Sequence, residues 1–201
     1  KSSAASDVYK RQVQRNGMHP RHSLMVSLNG SEGNHMHANG ISMELYGKGY
    51  VLGPDAGIGL YLYSGLDYLE YYSQFPSHNT VCVDGISSYP VMKSNHSFDL
   101  LSCFPASSAA AAAKDKFPSV TYSDVYFREP ESRADQTRMM SIVTTGPETG
   151  YYVDIFRSRK ERGGDKMHDY FYHNLGQEMT LAAADGTDLH LPVSYTHLRA
   201  H

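Results

Sequence analysis

Tryptophan is absent from this chain of 201 residues, and cysteine occurs only twice. No apolar run approaches the roughly 20 residues of a membrane-spanning helix. No stretch keeps a helical period over a convincing length, and no internal repeat is present. Charge of one sign is also scarce: 18 Lys and Arg stand against 21 Asp and Glu, for a net charge of −3. That balance argues against nucleic acid and membrane surfaces as partners. It does not exclude an anionic sugar, because a site can be locally basic in an acidic protein. Cys82 and Cys103 both fall in predicted strands and read as free buried thiols, with a disulfide left open for an oxidising compartment. No signal-peptide pattern is visible.

What the chain has in quantity is tyrosine, 16 residues of it. Tyrosine suits both strands and sugar contacts. The ends share nothing with the middle. Residues 1–12 (KSSAASDVYKRQ) and 193–201 (VSYTHLRAH) read as a non-native leader and tail, which leaves a domain at 13–192. Subtracting their charges of +2 and +1 from −3 leaves −6 for that domain. Its pattern is short alternating runs broken by Gly, Pro, Asn and Asp. Strands are expected at 41–46, 50–52, 80–83, 97–104, 120–127, 136–144, 151–157 and 167–174. The turn Thr145-Gly-Pro-Glu-Thr-Gly150 separates two of them. Strands at this spacing predict an all-β fold, an antiparallel sandwich. Ala109–Ala113, flanked by prolines, reads as a surface loop or one helical turn.

The stretch from Gly33 to Val83 carries the chemistry. It holds a His-x-His pair (His35, His37), an isolated acid after Gly53-Pro54 (Asp55), a run of tyrosines, and His78-Asn79-Thr80. Residues i and i+2 of a strand face one side, so both rings of the pair fit one site. Two exposed histidines have the same spacing. Imidazole and carboxylate together suit a divalent cation such as zinc. Ile41, Met43 and Leu45 alternate with Ser42, Glu44 and Tyr46. Gly47-Lys48-Gly49 then marks a turn and Tyr50-Val51-Leu52 a return. Such a hairpin leaves His37 and Asp55 at its open end, and His78 opens the next strand.

The run H-x-H-x-N-G-x-S-x-E-L-Y, then P-D-A-G, the tyrosines, and S-H-N-T-V-x-V-D-G resembles the heparinase II/III-like polysaccharide lyases, of oligoalginate-lyase and heparinase type. The resemblance spans about Arg15 to Leu181 and is specific through Asp84. It implies β-elimination on a 4-linked uronic acid polymer, with base and acid drawn from Tyr and His. It makes His35 the catalytic or carboxylate-contacting histidine. His37, Asp55 and His78 become ligands of a mainly structural zinc ion. A tyrosine between Asp55 and His78 becomes catalytic. Of Tyr61, Tyr63, Tyr68, Tyr71 and Tyr72, the choice falls on Tyr72, then Tyr68, which lie in the segment leading to His78. Asn39, Tyr63 and Asn79 are taken as substrate contacts, with Asn79 also suited to fixing a ligand histidine.

The chemistry sets its own demands. The C5 proton lies beside a carboxylate whose charge must be neutralised before the proton can leave. A tyrosine has an ordinary pKa of about 10, so a tyrosinate base needs positive charge nearby. In the family, an N-terminal α/α toroid supplies further groups. This chain has no room for one before Arg15, so it reads as the C-terminal part of a periplasmic or secreted enzyme and is expected to be inactive alone. The polymer stays open between alginate and a heparin or heparan type. The lack of a basic cluster near His35 leans to alginate.

Two rival readings remain. A cupin barrel would use Glu44 as its metal glutamate, although six residues separate it from His37. A non-catalytic carbohydrate-binding sandwich would need aromatics and no metal. Arg157–Arg162 reads as a solvated charged loop. His168 and His173 read as structural residues on opposite strand faces.

Overall fold

The computed structural model describes residues 8–9, 11–17, 23–59, 65–87, 89–105, 119–163, 167–176 and 180–189. Two antiparallel sheets dominate it. One has four strands in the order β2 (Arg11–Asn16), β3 (Leu24–Asn29), β5 (Ser42–Gly47) and β6 (Tyr50–Gly53). The other has five, in the order β1 (Val8–Tyr9), β9 (Phe98–Phe104), β10 (Val120–Arg128), β11 (Asp135–Gly146) and β12 (Thr149–Arg159). Two small ribbons flank them: β4 (Ser31–Asn34) pairs β8 (Lys93–His96), and β7 (Val81–Val83) pairs β13 (His168–Tyr170).

The inner faces follow from side-chain alternation. Leu24, Val26 and Leu28 of β3 stand opposite Gly47, Leu45 and Met43 of β5. They pack against Phe98, Val125, Phe127, Met140 and Ile142 of the larger sheet, and these residues form one buried core. The expected sandwich is present. Lys48 and Gly49 both take positive φ, 56° and 81°, in the two-residue turn of the β5–β6 hairpin. That turn matches the right-handed twist of its strands.

Two strands carry polar residues on their inner faces. In β2 the buried residues are Gln14 and Asn16, while Val13 is exposed. Gln14 donates to the Met140 carbonyl at 3.0 Å and Asn16 to Thr144 Oγ1 at 2.6 Å. Periodicity of apolar residues is blind to such a strand. Arg11 and Gln12 of the stretch set aside as leader pair with Asn29 and Leu28. In β12 the residues aligned with the buried side of β11 are Tyr152, Asp154 and Phe156. Asp154 is there because Arg138 is: this buried guanidinium meets it at 3.0 and 2.7 Å.

Other differences are local. The strand expected at 167–174 stops at Tyr170, and β12 runs on to Arg159 into the expected charged loop. Short helical turns occupy Tyr68–Tyr72 and Phe75–Ser77. Cys82 and Cys103 are free thiols, the first buried and the second half-buried. Ala109–Ala113 lies outside the described residues.

Candidate active site at the hairpin mouth

The β5–β6 hairpin, the β4–β8 ribbon and the turn entering β7 meet at one end of the smaller sheet. A cleft of about 300 Å³ opens there, lined by His35, His37, Asn39, Glu44 and Asp55 among others. His37 and His78 stack with ring centroids 4.8 Å apart and planes at 18°. His78 is fully buried, and its Nδ1 lies 3.0 and 2.9 Å from the two oxygens of Asp55. Its Nε2 is buried without a hydrogen-bond partner among the described residues, so the ring's polar commitment is all on the Asp55 side. Gly57 N–H donates to Asp55 Oδ1 at 2.9 Å, which fixes the carboxylate in its turn.

Burial shapes the protonation of these groups. It lowers the His37 pKa to about 4, helped by His78 and opposed by Asp55. His37 is therefore neutral at pH 7, with a nitrogen lone pair to offer. For Asp55, burial alone would raise the pKa. The hydrogen bond and charge of His78, with Gly57 and His37, outweigh it and hold the carboxyl below its ordinary range.

Zinc can be tested against this arrangement. Two neutral imidazoles and an ionised carboxylate are a suitable donor set. Two donors each about 2.1 Å from a tetrahedral ion stand about 3.4 Å apart. The observed 2.9 and 3.0 Å are hydrogen-bond lengths, so Asp55 and His78 would have to part by about half an ångström. As arranged, no three His, Cys, Asp or Glu among the described residues form a ligand set. The donor types are those zinc takes, while the Asp55–His78 contact as arranged is a hydrogen bond.

His35 lies on the cleft wall, exposed, with a left-handed backbone at φ 59° and its N–H given to the Met92 carbonyl at 2.8 Å. A left-handed non-glycine costs about 1 kcal/mol or more, and such positions concentrate at functional sites. Asn39 lines the same cleft and donates to Ser42 Oγ at 3.2 Å. Behind it, Gly40 takes φ 60°, and a Cβ there would lie 2.6 Å from Thr80 Oγ1. Only glycine lets this loop pass so close to the turn that carries His78.

The tyrosines separate by position. Tyr68 is 1% exposed and sets its ring edge against His37, with centroids 6.1 Å apart. Tyr72 is half-buried and packs on Gly59, whose added Cβ would fall 2.6 Å from its ring. Among the described candidates Tyr71 is the exposed one, at 43%, with its hydroxyl 3.5 Å from His173 Nε2. Tyr61 and Tyr63 lie outside the described residues. Asn79, taken from sequence as a substrate contact, is fully buried. Its Nδ2 donates to the Met43 and Pro54 carbonyls, and its Oδ1 accepts from His173 N–H. No atom of its amide is left for a sugar, so its role is to fix the backbone.

Two histidines escaped sequence reasoning as parts of this region. His96 is fully buried, and its Nδ1 accepts the Gly40 N–H at 3.0 Å, so it anchors the loop that presents His37. His173 reaches Asn79 and Tyr71, while His168 turns elsewhere, to Ser158. His96 belongs to no motif. His173 sits in the phrase DYFYHNLG, whose histidine had a structural reading.

A family profile described as heparinase II/III-like, C-terminal, matches residues 15–153. An endo-acting ulvan lyase from Formosa agariphila is 31% identical over 163 residues, which is 77% of this chain and 20% of that protein. The chain thus spans about a fifth of the length of the curated relative it matches.

Proposed function

The chain belongs to the heparinase II/III-like family through that family's C-terminal domain, and on that premise we propose that it is the β-sandwich part of a polysaccharide lyase. The substrate is a 4-linked uronic-acid polysaccharide, cleaved by β-elimination. Ulvan, named for the similar lyase, joins alginate and heparin as the polymer to try first. The observation that carries the reading is the cleft that brings His35, His37 and Asp55 together, with His78 directly behind.

In this reading His35 meets the uronate carboxylate or the reacting carbon. His37, Asp55 and His78 hold zinc, whose charge ties the loop ends together. The remaining groups come from an α/α toroid of the same polypeptide, and the enzyme works in the periplasm or outside the cell. Glu44 does not support the cupin alternative. Its carboxylate accepts from Asn29 at 3.2 Å and stands 3.7 Å from Arg11, partners that commit it away from metal.

The test uses the chain within its longer polypeptide, supplied in turn with ulvan, alginate and heparin. The expected product absorbs in the ultraviolet through its new C4=C5 double bond, and His35→Ala lowers its rate by about 100-fold or more. Tight sugar binding with no product from any polymer would instead establish a binding module. Elemental analysis of the isolated chain is expected to find one zinc per molecule, lost in Asp55→Asn.

A further inference from the structure

A second concavity lies on the other side of the smaller sheet from the cleft. Glu44 of β5 lines the cleft, while its neighbours Met43 and Leu45 line this groove, because successive strand side chains point to opposite faces. Strand β5 therefore separates the two. The groove measures about 820 Å³, within the range of about 300–1,000 Å³ found for small-molecule sites. Its buried lining is apolar and belongs to the core, as Met43 and Met140 do. Its exposed lining is tyrosine: Tyr151 from β12, Tyr170 from β13 and Tyr172 just beyond it.

Polar atoms edge these rings. Tyr170 donates its hydroxyl to Asp154 Oδ2 at 2.6 Å and accepts from Arg138 Nη2 at 3.1 Å, which fixes its ring as a wall. His168 Nδ1 lies 2.8 Å from Ser158 Oγ, which leaves its Nε2 for a ligand. The hydroxyls of Tyr151 and Tyr172 are uncommitted among the described residues. Tyrosine rings edged in this way suit a ligand with an apolar face and a hydroxyl rim. A pyranose is such a ligand: its C–H face lies on the ring and its hydroxyls meet the polar edge. A purely apolar occupant would cover Asp154, Ser158 and His168 and replace none of the water it removed from them.

Charge narrows the kind of sugar. No Lys or Arg lines the groove. Arg138 lies behind it, its Cζ 5.2 Å from the ring centroid of Phe156. All five of its N–H groups are spent: two on Asp154, one on Tyr170, and one each on the Ile41 and Asn79 carbonyls. Asp154 balances its charge. No guanidinium or ammonium is left for a carboxylate or a sulfate, and a uronate here would face Asp154 with nothing to offset it.

We propose that this groove is a second carbohydrate site, separate from the cleft, and that it takes a neutral pyranose unit stacked on Tyr151 and Tyr172. This goes beyond the lyase reading and does not depend on it. On a polysaccharide with both acidic and neutral sugars, the cleft takes the acid and the groove a neutral unit of the same or a neighbouring strand of polymer.

The test uses the 201-residue chain carrying 13C-methyl methionine. Met43 and Met140 report on the groove and Met36 on the cleft. Each signal is assigned by substitution to Leu. The probes are neutral cello-, xylo- and galacto-oligosaccharides, with alginate oligosaccharides of equal length as the anionic comparison. The expected result is a neutral oligosaccharide that moves the Met43 and Met140 signals and not that of Met36, at least about tenfold more tightly than alginate does. Tyr151→Ala and Tyr172→Ala, both at exposed positions, should each weaken that binding about tenfold or more. The proposal is overturned when no neutral probe moves the groove signals, when alginate moves them equally well, or when both tyrosine variants bind as before. It is also overturned when the signals follow protein concentration and sedimentation shows a dimer. Groove signals that change in the longer polypeptide and no longer answer to sugar mean that the rest of that molecule fills the groove, which overturns it too. Turnover by the longer polypeptide judges the lyase reading, so the two stand or fall separately.

Discussion

Asp55 shows how one residue can be read correctly as a type and still be settled only by its neighbours. A Gly-Pro-Asp-Ala-Gly run makes a good turn, and Asp55 does cap it through Gly57. The same carboxylate also lies against His78, 23 positions along the chain. Its pKa is depressed by that partner, so its contribution to stability is complete above the unfolded value of about 3.8 and fades as pH falls through the folded value. His37 works in the same sense within its own, higher window. Its folded pKa of about 4 lies under the ordinary 6.5, so the unfolded chain binds the extra proton. Stability therefore rises with pH between about 4 and 6.5 and is flat above. His96, also lowered to about 4 by burial, adds to the same slope. Two such groups give at most about 2.7 kcal/mol per pH unit in mid-window. Urea unfolding of the metal-free chain at pH 7, 6 and 5 should show the loss. His96→Gln should flatten it, and an unchanged pH dependence in that variant would remove His96 from the account.

At the scale of elements, the loop from His35 to Ile41 must approach the strand that follows His78. Gly40 makes that approach, with φ 60° and Thr80 Oγ1 at 2.6 Å from where a Cβ would stand. Gly40→Ala is expected to cost about 2–3 kcal/mol, the sum of a left-handed alanine and a clash. Thr80→Ala in the same chain should recover the clash part and leave about 1 kcal/mol for the backbone. A double-mutant cycle by thermal unfolding measures the difference. Purely additive costs would mean that the close approach is not what selects glycine there. Arg138 is the complementary device on the larger sheet. It donates to the Ile41 and Asn79 carbonyls at 2.7 and 2.5 Å while Asp154 and Tyr170 hold its other nitrogens. One guanidinium so ties both loops of the site to the sandwich. The Thr-Arg-Met-Met sequence gave no hint of this, because an isolated arginine between apolar residues ordinarily faces water.

At the scale of the molecule, the sandwich gathers its candidate site at one end, from residues of separate segments of the chain. Alternation in β5, β10 and β11 was enough to identify the sheets, and the two-residue turn at Lys48 was enough to bring His37 and Asp55 to the same end. The β2 strand was hidden because its buried face is amide rather than hydrocarbon. It still packs, since Gln14 and Asn16 find partners on β11.

The sequence by itself determined the fold class, the family and the set of imidazoles and carboxylate at the hairpin mouth. Those follow from local rules, namely period-two alternation, turn residues and short spacings. Only the tertiary structure decided which tyrosine is exposed, that Asn79 is spent on backbone, and that His96 and His173 stand behind the site. Each of these depends on contacts between residues more than ten positions apart, where spacing along the chain says nothing about which atoms meet.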